Sequence, residues 1–349
     1  MDSDRQFPPA QGPSVWQAQD LAADPGWIRR FSKAELAELD KALSAIEARD
    51  LTAADFEKRD FPLPTLGPYC QQAARSLENG RGCLLLRGFD PGRYSLAQNK
   101  IIYWGLGLHL GAPMTQNAAG DRIGNVRDSG RSSTENNVRG YTTRNAIRPH
   151  CDPCDVVLLL CLETARSGGR SHLASAGALY NEIRRRHPHY LPCLIRGFHY
   201  DLRGEGPSGD ADEVTHNRLA VFSWHRGRLS CRFNARSIID GQRKYGKPLA
   251  DLELAAVRCL ESLAENDRFR YDMTFQRGDI QILNNYSVLH ARGAFEDDAG
   301  GGRHLLRLWL NLDPAIARPL DPAFANKNNT GPRGGIHVQA NHAGWVPEY

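Results

Sequence analysis

Apolar residues recur along this chain with two different periods, and the switches between them predict where helices and strands lie. Over residues 33–49, Leu36, Leu39, Leu43 and Ile46 return every three or four positions, the spacing that lines one face of an α-helix. Ser32 stands where an N-cap belongs, and Glu35, three residues later, completes a capping box. Residues 98–110, about 176–186 and 249–265 read as helices too. Elsewhere the apolar residues run together: Cys83-Leu84-Leu85-Leu86 between Gly82 and Gly88, Val156 to Leu162, Ile280 to Leu283 after the Gly278-Asp279 turn, and Leu305 to Leu312. Short apolar runs bounded by turn residues predict buried strands. Gly168-Gly169 turns the chain into a further strand over 171–175, and 195–233 reads as strands separated by turns.

Many short strands, a few helices and no βαβ rhythm predict a mainly β fold with helices, a sandwich or jelly roll with appended helices. Residues 1–30 are polar and rich in Pro and predict a partly disordered arm without a signal peptide. Residues 31–312 predict one catalytic domain. Within it, 115–148 turns polar, rich in Asn, Ser, Thr, Gly and Arg, and a connection that long predicts a lid or recognition insert. The tail, 313–349, is expected to pack on the domain or to be flexible.

Composition narrows the partners. Net charge is only +4, too weak a bias to predict a nucleic-acid partner, and Arg184-Arg185-Arg186 reads as a solvated helix end. The longest clean apolar run, Val156 to Leu162, is far short of the ~20 residues a membrane-spanning helix needs. Eight cysteines scattered through a long chain predict reduced thiols and a cytoplasmic protein. Oligomeric state is not legible.

The candidate chemistry begins at His150-Cys151-Asp152. On extended chain, residues two apart face the same way, so His150 and Asp152 can converge while Cys151 turns away. Imidazole plus carboxylate is two thirds of the facial triad that holds non-haem Fe(II) with open positions. Further on, a predicted strand ends in His290, and Arg303 and Arg307 lie four apart on the next one. That spacing puts both guanidiniums on one face, with Leu306 and Leu308 on the other. A planar guanidinium fork suits the far carboxylate of an iron-chelating dicarboxylate; the bland reading is a pair of structural ion pairs.

The segments HCDPCDVVLLLCLETARSGGRSHLASAGALYNEI and GDIQILNNYSVLHARGAF…GRHLLRLWLNL resemble the taurine dioxygenase-like (TauD/TfdA, clavaminate synthase-like) superfamily of Fe(II)/2-oxoglutarate-dependent oxygenases, over roughly residues 80–312. The resemblance implies a double-stranded β-helix (jelly roll, cupin-like) core with flanking helices. It implies His150, Asp152 and His290 as iron ligands. Ser171 falls where relatives carry a Thr that contacts 2-oxoglutarate, Arg303 matches the arginine clamping its distal carboxylate, and Arg307 matches one that contacts co-substrate or an acidic substrate group. It implies that Fe(II), 2-oxoglutarate and O2 oxidise a small amino-acid-like or carboxylic substrate. Hydroxylation, desaturation or ring closure would proceed through a ferryl species, with release of succinate and CO2. A carboxylate at Asp152 argues against halogenation, because relatives that halogenate leave that ligand position open.

Position alone makes Gln116, Asn117, Asn125, Arg127, Arg139 and Tyr141 candidate substrate contacts, with Trp224 as a possible apolar wall. The competing readings are a non-catalytic or zinc-binding β-domain, prompted by Cys151-x-x-Cys154, and a zinc hydrolase. Neither finds a second close ligand pair. His109 and His304 read as a packed histidine and one turned away from the metal.

Overall fold

The computed structural model describes residues 7–130, 140–298, 302–325 and 333–339. Four layers stack in it: helices, a larger sheet, a smaller sheet, helices. The larger sheet runs in the order Ile28–Arg30, Cys83–Arg87, Ile280–Asn284, Val156–Glu163, His304–Asn311; Ala112–Pro113 and Ile123–Val126 both pair with the last of these. Among the described residues its only parallel pairing is that of the first two strands. The smaller sheet is antiparallel throughout, in the order Tyr271–Met273, Ser171–Ser175, Val288–Arg292, Ile147–His150.

Why the strands read as unbroken apolar runs is now visible. Val156, Leu158, Leu160 and Leu162 pack with the helices Lys33–Glu47, Leu66–Asn79 and Leu96–Leu110. Val157 and Cys161, from the alternate positions, pack with Leu173, Met273 and Val288 of the smaller sheet. A strand covered on both faces has no polar side to show. The smaller sheet is layered likewise: Leu173 and Val288 face inward, while Ala174 and Leu289 join a second core with the helices Ala176–Arg186, Leu191–Arg196, Ala235–Lys244 and Asp251–Glu265. The predicted helices fall within one or two residues of these, and the capping box of Ser32 and Glu35 forms. Only part of 195–233 is strand, Phe222–His225 paired with Arg228–Cys231. Gly278 makes its turn with φ +84°, where a Cβ would lie 1.7 Å from the Phe89 carbonyl oxygen, so no other residue fits.

The N-terminal segment departs from expectation. Residues 1–6 lie outside the described residues, but from Phe7 onward the chain is built in. Trp16 and Trp27 are buried, Trp16 Nε1 donates to the Arg81 carbonyl at 2.9 Å, and the Ala10 backbone pairs both ways with the Asn181 amide. Two indoles outweigh the polar composition around them. The described part of the tail wraps the domain: Arg318 meets Glu78 at 2.6 Å and Arg333 meets Asp155 at 2.9 Å. Within 115–148 the chain is not all loop, since Ile123–Val126 is a strand of the larger sheet. Among the described residues, no helix is long and apolar enough to cross a membrane.

Glu78 is a structural pivot. Its side chain, 1% exposed, accepts from Arg318, from Arg228 at 2.9 Å and from the Asn284 amide at 3.1 Å. Removing one member strands the other charges in the interior, so Glu78→Ala is expected to lower unfolding free energy by about 3–5 kcal/mol. Urea denaturation checks this; a loss below about 1 kcal/mol would show that water replaces the carboxylate.

Candidate active site

Between the two sheets lies a cavity of about 440 Å³, and the predicted chemistry converges on it. His290 sits inside the strand Val288–Arg292, and its direct cross-strand partner is His150. That register brings together residues 140 positions apart, with ring centroids 4.2 Å from each other. Asp152 follows where the chain leaves its strand. Asn285 holds that knuckle: its side-chain oxygen accepts the Asp152 N–H at 3.0 Å and its amide donates to Cys154 Sγ at 3.1 Å.

His150 Nε2 stands 3.7 Å from Asp152 Oδ1, and His290 Nε2 stands 3.6 Å from Asp152 Oδ2. The ligand atoms of all three lie within 4.8 Å of one another, and among the described residues they form the group of His, Cys, Asp and Glu able to hold a metal ion. His150 Nδ1 donates to the Arg148 carbonyl at 2.9 Å, which leaves Nε2 with its lone pair toward the site. Burial, and then the neighbouring His290, pull the His150 pKa down to about 4. Burial works to raise Asp152, but the hydrogen bond with His290 and the charge of Arg307 outweigh it and hold the carboxyl well below the usual range. A neutral imidazole beside an ionised carboxylate is the protonation state metal binding requires. The donor set, two nitrogens and one oxygen on one side of a cavity, fits non-haem iron.

Trp309 and Arg307 share a face of the strand His304–Asn311. Trp309, 1% exposed, donates from Nε1 to Asp152 Oδ2 at 3.0 Å. Arg307 lies over the rings of Tyr141 and Trp309, 4.4 and 4.6 Å from their centroids. Its Nε donates to Gln116 Oε1 at 2.6 Å, and its Nη2 is enclosed without a partner.

Arg303 enters from the same face. Gly169, at φ +65°, packs against it; a Cβ there would lie 3.1 Å from Arg303 Nε. Arg303 Nη1 is enclosed without a partner, and burial pulls its pKa down to about 10. Arg292, two residues after His290, also lines the cavity. Its Nη2 donates to the Thr143 carbonyl at 2.6 Å, its Nε and Nη1 have no partner, and burial and then Arg303 pull its pKa down to about 9. Two desolvated cations side by side are costly unless an anion joins them. Ser171 is buried at the cavity wall, its Oγ accepting from Gln281 Nε2 at 3.0 Å.

The structure separates the remaining candidates. Tyr141 lines the cavity. Gln116 grips Arg307 instead, Asn117 closes a turn with Asp121, and Asn125 accepts from His304 Nε2 at 2.8 Å. Arg127 is exposed, and Arg139 lies outside the described residues. None of Gln116, Asn117, Asn125 and Arg127 lines the cavity, and the three amides serve the protein's own loops and sheet edge. Trp224 packs against Tyr180 in the outer core. His109 is a packed histidine bonded to the Phe61 carbonyl. All eight cysteines are free; Cys154 is fully buried, which pushes its thiol up and disfavours the thiolate zinc needs. Arg292 and Trp309 were legible by the same two-residue rule that links His150 with Asp152, yet nothing local distinguished them from packed strand residues.

Comparison with known proteins agrees with this geometry. The family model described as taurine catabolism dioxygenase TauD, TfdA family, matches residues 47–309. FR-33289 synthase of Streptomyces rubellomurinus is 33% identical over 311 residues, 87% of this chain and 91% of that one. Among solved structures, asparagine oxygenase in complex with Fe(II), 2S,3S-3-hydroxyasparagine and succinate aligns with a TM-score of 0.63 at 14% identity, covering 83% of this chain and 98% of its own. The non-haem iron oxygenase OrfP with Fe and alpha-ketoglutaric acid aligns with a TM-score of 0.56 at 13% identity, covering 82% and 94%.

Proposed function

The chain belongs to the taurine catabolism dioxygenase (TauD, TfdA) family and is an Fe(II)- and 2-oxoglutarate-dependent oxygenase; from that premise we propose which residues carry the reaction and what it acts on. The two stacked sheets are the halves of a double-stranded β-helix, within an oxygenase domain spanning 31–312 of a cytoplasmic protein. His150 and His290, through Nε2, and the Asp152 carboxylate hold the iron. Arg303 takes the distal carboxylate of 2-oxoglutarate, helped by Arg292 and the Ser171 hydroxyl. The substrate is small and amino-acid-like or carboxylic, and is hydroxylated, desaturated or cyclised.

Bound iron supplies the oxidation of 2-oxoglutarate by O2 to succinate and CO2, coupled to oxidation of the substrate. The chain's own residues place the reactants. Trp309 orients Asp152 through Oδ2, and Asn285 fixes the backbone that carries it. Gln116 and the Tyr141 and Trp309 rings hold Arg307 facing the cavity, where it can meet an acidic group. Val157, Leu159, Phe275 and Leu305 give the cavity apolar walls that keep water from the reacting centre.

The observation that carries this reading is a single one: two imidazoles and a carboxylate gathered on one side of a cavity into which buried, unpaired guanidiniums project. Anaerobic Fe(II) with 2-oxoglutarate is expected to give a visible charge-transfer absorption, and succinate release in air should rise above background with the right small acid. An absence of the absorption at saturating co-substrate would overturn the assignment.

A further inference from the structure

Gly335 and Ile336 lie beyond residues 47–309, the stretch that the family model matches, yet both line the reaction cavity. The segment 333–339 that carries them is tied down along its length. At its start Arg333 meets the fully buried Asp155 at 2.9 Å. In the middle, Thr115 Oγ1 accepts the Ile336 N–H at 2.9 Å and donates to the Ile336 carbonyl at 2.6 Å. At its end, the Gln339 backbone N–H donates to the Ala118 carbonyl at 3.0 Å. The Gln339 side-chain amide donates to the carbonyls of Gly204 and Gly206 at 3.1 and 2.7 Å.

These bonds join two distant parts of the chain. Thr115 and Ala118 follow Met114, whose N–H donates to the Trp309 carbonyl at 2.8 Å at the edge of the larger sheet. Gly204 and Gly206 belong to a segment whose Asp201, Leu202 and Glu205 line the cavity. Segment 333–339 therefore runs as a strap from the sheet edge to the 201–206 segment. It also passes close to the metal corner. A Cβ on Gly334 would lie 2.2 Å from the carbonyl oxygen of Pro153, the residue after Asp152, so only glycine fits there.

Thr115 occupies the backbone of Ile336, and the Ile336 side chain packs against the apolar cluster that includes Val126, Tyr141, Leu305 and Trp309. All four line the cavity, and Tyr141 and Trp309 are the rings over which Arg307 lies. Ile336 itself is only half-buried. An apolar side chain left partly uncovered at a cavity wall gains free energy when a ligand's methylene groups cover it.

We propose that segment 333–339 is a substrate-recognition strap and that Ile336 is a specificity-determining residue, which packs on an apolar portion of the substrate and sets how long that portion can be. The proposal rests on the reading above in one respect: the substrate is a small acid whose charge is met elsewhere in the cavity, so Ile336 discriminates among acids by apolar length.

The test titrates the full-length protein, kept anaerobic and loaded with Fe(II) and 2-oxoglutarate, by calorimetry. The probes are straight-chain carboxylates from acetate to octanoate and 2-amino acids from alanine to norleucine. In one of the two series affinity is expected to rise about fourfold for each methylene buried, up to a limiting length. Ile336→Ala should move that limit to a longer probe and Ile336→Trp to a shorter one; a merely structural role would not shift it in opposite directions. The double variant Thr115→Val/Gln339→Ala, which leaves Ile336 in place, should flatten the length dependence. It should also speed hydrogen exchange of the 333–339 amides by roughly 10-fold, and it keeps the test open should Ile336→Trp fold poorly. No binding of any probe, a limit unmoved in the Ile336 variants, or unchanged exchange in the double variant would each overturn the proposal. A missing charge-transfer absorption would instead overturn the iron and 2-oxoglutarate assignment, while exchange in the metal-free protein would still test the strap.

Discussion

His290→Ala is expected to abolish turnover, with succinate release falling by at least about 10³-fold, well within the roughly 10⁶-fold or greater acceleration typical of enzymes. His290 and His150 are cross-strand partners, and each presents Nε2 within 4 Å of an Asp152 oxygen. Removing one imidazole leaves a two-ligand site that cannot close three positions around the ion. The charge-transfer absorption should vanish, and equilibrium dialysis should show Fe(II) lost. Folding should persist, because the ring faces the cavity and its Nδ1 has no partner to lose. A variant that kept stoichiometric iron at wild-type affinity would sink the assignment of this ligand.

Arg303→Ala separates the co-substrate from the metal. The guanidinium is buried with Nη1 unsatisfied and its charge already disfavoured by burial. Truncating one partner of a buried, hydrogen-bonded charge pair costs about 2–5 kcal/mol, so 2-oxoglutarate affinity is expected to fall by roughly 30- to 4,000-fold. Iron binding should be unchanged. Arg303→Lys should recover part of the loss, since the charge returns but the planar fork does not. Titrating 2-oxoglutarate against the absorption of the anaerobic iron-loaded protein measures all three. Unaltered affinity in Arg303→Ala would move the clamp to Arg292 or Arg307, both of which line the same cavity.

Much of the layering was legible because it is written locally. The capping box of Ser32 and Glu35, the helical return of Leu39, Leu43 and Ile46, and the unbroken run from Val156 to Leu162 each follow from neighbours a few residues away. His150 and Asp152 were legible for the same reason, as were Arg303 and Arg307 on one strand face. The polar stretch misled for a physical reason as well. Gln116, Asn117 and Asn125 are the residue types that contact substrates, but the same amides satisfy buried arginine, turn and histidine groups. Which use an amide serves depends on what lies across from it. The packed N-terminal segment was obscured by composition, where two buried tryptophans counted for more than the prolines and charges around them.

By itself, then, the sequence left out the helices Leu66–Asn79, Leu191–Arg196 and Ala235–Lys244, but determined the strongly periodic helices, the buried apolar strands and the short-range pairs that lie two or four residues apart. These follow from backbone periodicity, which reaches only as far as a turn of helix or a pleat. Tertiary structure alone decided that His290 lies opposite His150, that Trp309 and Asn285 brace Asp152 from two different parts of the chain, and that Arg292 of one strand faces the same cavity as Arg303 and Arg307. Register and facing are set by the free energy of packing whole sheets and helices together. No single segment carries that quantity, so no local pattern could display it.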